Sequence, residues 1–301
     1  MKYNKPAISF QNQITDLAKK GLFFNKKEQA EIFLSNINYY RLRAYTYPFQ
    51  DNTNPKHPFI KKVSFEEILD LYNFDNKLRS LLFEALSKIE IAFRTQIIYQ
   101  WSMKHGSHWY INTDLYKNSV FFDKSITTLK KEIDRSHETF IKHYKDKYTN
   151  PSLPPAWMAL EISSFGLLSK LFTNIKHDKT KKEVAHHFGL YDIDLLENWM
   201  RSFSNIRNIC AHHSRLWNRR LTTHISMPKK TKNLFIENKK IYPYKIYPVL
   251  CAMQYILKEI NPKNGFKQKL LTLMETCPLK QEKDMGFPKD WQQENFWKTY
   301  T

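Results

Sequence analysis

A capping box, Ser64-Phe65-Glu66-Glu67, opens a long run of helical periodicity. In such a box the Ser hydroxyl and the second Glu carboxylate each accept a backbone N–H at the helix start. Beyond it Leu78, Leu81, Leu82, Ala85, Leu86, Ile89, Ala92, Phe93 and Ile97 recur at helical spacing. That period gathers them on one face of a helix predicted to reach Trp101. An apolar stripe of this length is stable in water only when other elements cover it, so the feature asks for a helical bundle.

The remaining segments fit that demand. Asn25 caps a predicted helix over 26–37, an aromatic-rich helix covers 39–47 and stops before Pro48, and 51–58 is turn chemistry. A charged helix is expected over 123–148. Pro154-Pro155 opens another through Leu171, and a short one covers 179–188 before Gly189. Asp192 caps a helix predicted over 193–221. An irregular Lys-rich stretch with Pro228, Pro243 and Pro248 follows, then helices at 249–260 and 265–275. No Asn-Gly hairpin signal, repeat or low-complexity tract occurs. The expected fold is all-α. Residues 1–60 form a helical segment packed on the body, 61–280 the main helical domain, and 281–301 an aromatic tail (Met285–Trp297) that docks back.

Composition narrows the function classes. The 6 Gly, with neither G-x-G-x-x-G nor a P-loop, argue against a glycine-rich nucleotide-binding fold. The balance of 48 basic against 29 acidic residues leaves a net charge of +19, which attracts polyanions, nucleic acid being the commonest. The alternative is a Lys-rich composition inherited from an AT-biased genome. The lysines are spread along the chain and do not gather on one amphipathic helix, which argues against a membrane surface. Cys210, Cys251 and Cys277 are far apart with no C-x-x-C, the usage of a reducing compartment without structural zinc. The polar start Met1–Pro6 lacks a leader's apolar core, and Val249–Leu257 is too short to span a bilayer. A cytoplasmic protein is expected, with no metal and no cofactor.

The helix after Asp192 carries Arg207-Asn208-Ile209-Cys210-Ala211-His212. Spacing alone says little, because Arg219–His224 repeats it by accident. Helical phase says more. Trp199, Phe203, Ile206, Cys210, His213 and Trp217 fall on one apolar stripe, whereas Asn208 and His212 lie opposite, near Arg201 and Arg215. On that phase His213 belongs to the core and His212 to a polar face. An imidazole titrating near neutrality serves as general acid or base, and flanking arginines neutralise phosphate charge. Arg207 is about 140° around an ideal helix from His212. Either the helix deforms after Asn208, or the guanidinium arm wraps round, or a second copy of the chain shares the site. A solvated basic face is the alternative. Cys210, His212 and His213 point to different faces and lack an acidic pair, which disfavours a metal, and nothing resembles a nucleophile elbow.

Five blocks in order carry a wider likeness: Leu34–Phe49, Tyr72–Tyr99, Leu153–Phe172, Arg207–Arg219 and Met285–Trp297. On these the chain resembles the Abi-like abortive-infection proteins, the AbiD/AbiF group of the HEPN ribonuclease superfamily. The resemblance implies a HEPN-like helical bundle with additional N- and C-terminal helices. It also implies an Arg-Asn-x-x-x-His site that cleaves RNA without metal, leaving 2′,3′-cyclic phosphate and 5′-OH ends. His212 would then be general base or acid, Arg207 would stabilise phosphate charge, and Asn208 would orient the scissile group or the imidazole. One motif per chain implies a homodimer. Toxin-like phage defence by growth arrest, and control by a partner such as a small noncoding RNA, follow from the same likeness.

Further RNA contacts are expected from Arg201, Arg215 and Arg219, and from Lys229, Lys230 and Lys232. Lys239, Lys240, Lys245, Tyr242, Tyr244 and Tyr247 extend that track. Tyr40, Arg41 and Arg43 interleave rings and cations as stacking and phosphate contact require. A tyrosine packing face and a solvated loop are the respective alternatives. Glu90 and Arg94, four apart, read as an intrahelical pair. The competing function is a catalytically silent RNA-binding protein or a helical adaptor of a defence system.

Overall fold

A computed structural model describes every residue except Met1, Tyr3, Lys5, Lys239, Lys240, Gln281, Tyr300 and Thr301. It is 63% helical, and among the described residues the only β pairing is a few isolated bridges. The fold is all-α. No helix among the described residues is long and apolar enough to cross a membrane. The chain divides into two compact units, Met1–Arg79 with Thr272–Glu282, and Ser80–Leu271 with Lys283–Thr301.

The first unit holds α1 (Phe10–Lys19), α2 (Lys27–Asn36), α3 (Tyr39–Thr46) and the start of α4 (Phe65–His105). The capping box of α4 forms as the sequence predicts, with Glu67 N–H on Ser64 Oγ at 3.1 Å and Ser64 N–H on the Glu67 carboxylate at 2.7 Å. The neighbouring Glu66 reaches back to α2, where its carboxylate accepts Asn25 N–H and Lys26 N–H, each at 3.1 Å. That acceptor replaces the expected Asn25 cap, and α2 begins after Lys26. Inside the unit the Tyr45 hydroxyl donates to Asp75 at 2.5 Å, and Arg79 pairs with the same carboxylate. Three polar groups buried this deeply are tolerated because each satisfies the next.

The second unit takes α4 from Ser80 onward. After it come α5 (Ser119–Arg135), α6 (Thr139–Lys147), α7 (Ala156–Ala159), α8 (Phe165–Asn174), α9 (Lys179–His187), α10 (Ile193–Ala211), α11 (Ile246–Ile260), most of α12 (Phe266–Glu275) and α13 (Asn295–Thr299). Two predicted helices are each split in two. The break at Ser136 is extended, and its hydroxyl accepts Glu138 N–H at 3.3 Å. The other break lies where Ser163 Oγ donates to Leu160 O at 2.7 Å and Ser164 caps α8. In both, a serine offers the backbone a partner outside the helix. Gly189 ends α9 at φ +70°, where a Cβ would meet the Tyr255 hydroxyl at 2.5 Å.

The core of this unit is aromatic. Phe93 of α4 packs against Phe165, Phe188 and Phe203. All residues of α11 from Ile246 to Leu257 are buried. The C-terminal segment packs there too, with Phe287, Trp291 and Trp297 around the Tyr247 ring. The Trp297 indole N–H donates to the Tyr247 hydroxyl at 3.1 Å.

Candidate functional site

The carboxylate of Asp192 accepts Asp194 N–H at 2.9 Å and starts α10. Trp199, Phe203, Ile206 and Cys210 are buried on one face, as helical phase requires. The helix stops at Ala211, well short of the predicted Leu221. Its end is a Schellman motif. His213 N–H bonds Cys210 O at 3.1 Å, Ser214 N–H bonds Ile209 O at 3.0 Å, and His213 adopts φ +53°. The left-handed position at such an end suits glycine, and histidine is among the few other residues that enter it readily.

Termination reverses part of the phase argument. His213 is exposed and is not a core residue, because the backbone has left the helix before the stripe reaches it. Leu216 and Trp217 are buried from irregular chain. Arg215 and Arg219 also leave the helix surface, and Arg219 turns its guanidinium onto Arg215 O at 3.2 Å. His212 forms the C-cap, with its N–H on Asn208 O at 3.0 Å. Its imidazole is exposed and, among the described residues, makes no side-chain hydrogen bond.

Arg207 and Asn208 sit just inside this end. Arg207 Nη1 lies 3.4 Å from Asn208 Oδ1, and its guanidinium rests 5.9 Å from the Phe83 ring centre. On the other side Arg207 Nε is 3.8 Å from Glu90 Oε2. Glu90 also forms the expected intrahelical pair, with Arg94 Nη2 at 2.8 Å. The same nitrogen of Arg94 donates to Ser163 O at 2.9 Å. The Glu90 and Arg94 side chains are 12% and 8% exposed, and that of Arg207 is 35% exposed. A half-sunk carboxylate thus holds two guanidinium groups, one inside and one at the surface. Sequence spacing finds the first and misses the second, which sits on another helix.

The other expected contacts disperse. Arg201 is exposed and opens on a cavity between α5, α8 and α10. Lys229 and Lys230 are exposed, with Lys230 Nζ 5.6 Å from the Tyr191 ring centre. Lys232 lies 3.5 Å from Glu259 and Lys245 bonds Asn218 at 2.6 Å. Tyr247, read as part of the same track, is wholly buried and serves the core. Lys239 and Lys240 lie outside the described residues. Tyr40 and Arg41 are exposed and Arg43 half-buried on α3, which belongs to the first unit.

One cluster has the composition of a cation site. His177, Asp194 and Glu197 bring ligand atoms within 4.8 Å of one another. The Glu197 carboxylate, however, already receives Lys181 Nζ at 2.6 Å and has Lys117 Nζ at 3.7 Å. Burial lowers the Lys181 ammonium to about 8 despite the opposing pull of Glu197. The buried member of the cluster, Glu197, is thus already paired with an amine, while His177 and Asp194 are exposed.

A model of the family described as Abi-like protein matches residues 32–218 of the chain. The match contains α10 with Arg207, Asn208 and His212, and α4 with Glu90. No curated protein and no solved structure matches.

Proposed function

This chain belongs to the Abi-like protein family, and from that membership we propose that it is an abortive-infection protein of phage defence that cuts RNA at the end of α10. The reaction is metal-independent and of the HEPN type. The neutral His212 imidazole takes the proton of a ribose 2′-OH, and that oxygen attacks the adjacent phosphorus. The bond to the 5′-oxygen breaks, leaving a 2′,3′-cyclic phosphate. A protonated imidazole returns a proton to the departing oxygen, so the exchange balances without an added reagent. Arg207 faces the charge that grows on the non-bridging oxygens, and Asn208 orients the phosphate. A homodimer supplies the second imidazole, and a noncoding RNA partner restrains the enzyme in the cytoplasm until infection.

The observation that carries this reading is the half-buried Arg207 beside the exposed Asn208, at the same helix end as an exposed His212, with Arg207 braced by a carboxylate from α4. A solvated basic face has no need of such a brace. The test is to incubate the purified chain and its His212→Ala variant with RNA in EDTA and to examine product ends. Cleavage with cyclic-phosphate ends, absent from the variant, is expected. Binding that is indifferent to His212→Ala, with no cleavage by either protein, overturns the nuclease and leaves an RNA-binding role.

A further inference from the structure

The cavity onto which Arg201 opens has a volume of about 650 Å³, within the range of small-molecule sites. Lys117 at its wall lies 3.7 Å from Glu197, but three further cations are uncompensated. Lys124 of α5, Lys170 of α8 and Arg201 of α10 line it and are exposed. Among the described residues the side chains of these three form no ion pair and no hydrogen bond. The buried cations of this unit are answered, Lys181 by Glu197 and Arg94 by Glu90.

Two hydroxyls belong to the same wall. Ser125 and Ser169 are 7% and 4% exposed and both line the cavity, yet neither hydroxyl has a hydrogen-bond partner among the described residues. Each is therefore free to pair with a polar group of a ligand in the cavity. Beside them on α5 the Phe121 ring is 60% exposed, a flat apolar face next to cations. The wall is built in advance. Asn118 N–H bonds Asn174 Oδ1 at 3.0 Å, Asn174 Nδ2 returns a bond to Asn118 O at 2.9 Å, and Lys117 N–H holds Asn174 O at 2.8 Å.

We propose that this cavity binds a phosphorylated nucleotide, with its base on Phe121 and its phosphates among Lys124, Lys170 and Arg201. The Ser125 and Ser169 hydroxyls meet the polar edge of the sugar or base. Stacking and cation pairing on one wall is the chemistry that recognises nucleotides over simple anions. Three unanswered cations match the charge of a nucleoside diphosphate. The same chemistry is offered by a free nucleotide and by one residue of a bound RNA strand. The proposal does not rest on the cleavage step, in which none of these groups takes part, although Arg201 is also one of the RNA contacts expected from the sequence.

The test is calorimetry of the full chain with ADP, adenosine and inorganic phosphate, beside anisotropy of a fluorescent oligouridylate. It is run on the unaltered chain, Phe121→Ala, and Lys124→Ala with Lys170→Ala, all shown by thermal unfolding to be folded. ADP is expected to bind at least about 10-fold tighter than adenosine or phosphate, and to lose about 5–10-fold in Phe121→Ala and more in the double variant. Absence of ADP binding, with the same losses seen for oligouridylate, assigns the cavity to a nucleotide of an RNA strand and sustains the proposal. Affinities for both ligands that ignore the substitutions overturn it. So does phosphate binding as tightly as ADP, which would make the cavity a simple anion site.

Discussion

Glu90 Oε2 lies 3.8 Å from Arg207 Nε, while the other carboxylate oxygen holds Arg94. The two arginines differ in what they lose if that carboxylate is removed. Arg94 is buried and would be left as a sunken charge, a loss of about 3–5 kcal/mol in comparable pairs. Arg207 is a third exposed, and water compensates most of its side of the pair. Glu90→Ala is therefore expected to cost about 3–5 kcal/mol, and Arg207→Ala under about 1 kcal/mol. Urea midpoints at constant slope measure both. Equal costs would mean that the carboxylate serves the surface arginine as much as the buried one.

Arg207→Ala should leave RNA binding nearly intact and slow the chemical step. Loss of one group that meets developing charge lowers kcat by about 10²–10³-fold. Single-turnover cleavage at saturating enzyme isolates that step. A weakened affinity with an unchanged rate would place Arg207 in binding alone.

His213 occupies a backbone position at φ +53° that a β-branched residue resists. His213→Val is expected to be less stable than His213→Gly by about 1–2 kcal/mol. Cleavage should survive His213→Gly, in contrast to His212→Ala. Thermal unfolding of the pair, with an RNA assay of the glycine variant, checks both statements.

These two histidines also mark where sequence reading stops. α4 is legible because one period runs across many turns and a capping box fixes its start. The buried face of α10 from Trp199 to Cys210 is legible for the same reason. Its end is not, since the turn at 212–214 contains neither glycine nor proline, and extrapolated phase places His213 in the core. The breaks at Ser136 and Ser163 escape likewise, because a serine inside a helical pattern does not announce which backbone group it will bond. Arg207 and Asn208 are singled out by motif and resemblance. Glu90's second partner is a relation between helices that no local spacing contains.

Lys181 has a folded-state pKa of about 8 against 10.5 in the open chain, with burial the first cause. Between those values the unfolded chain binds more protons, so this group makes stability rise with pH across that window. Below pH 8 the ammonium is charged in both states and its burial penalty is fully present. The difference in stability between the unaltered chain and Lys181→Met should therefore shift in favour of the lysine from pH 8 to pH 10. Denaturation of both proteins at several pH values reads it, and parallel curves would remove Lys181 as the titrating group.

Trp297→Phe retains much of the ring but removes the indole N–H that donates to Tyr247. A loss of about 1–2 kcal/mol is expected from the buried hydroxyl left without its donor. Trp297→Ala should cost about 3–5 kcal/mol, since a cavity is added. A denaturant series on both variants separates the hydrogen bond from the packing.

The stop of α10 at Ala211 has a bearing on protein engineering. Residues 207–212 grafted into the middle of a foreign helix would keep their letters and lose their geometry, because the next turn would enclose the imidazole on both sides. A transplant would have to carry the left-handed residue, the serine after it and an acidic brace from a second helix. The smallest portable unit is a helix ending with its support, and it is longer than any pattern written along one strand of sequence.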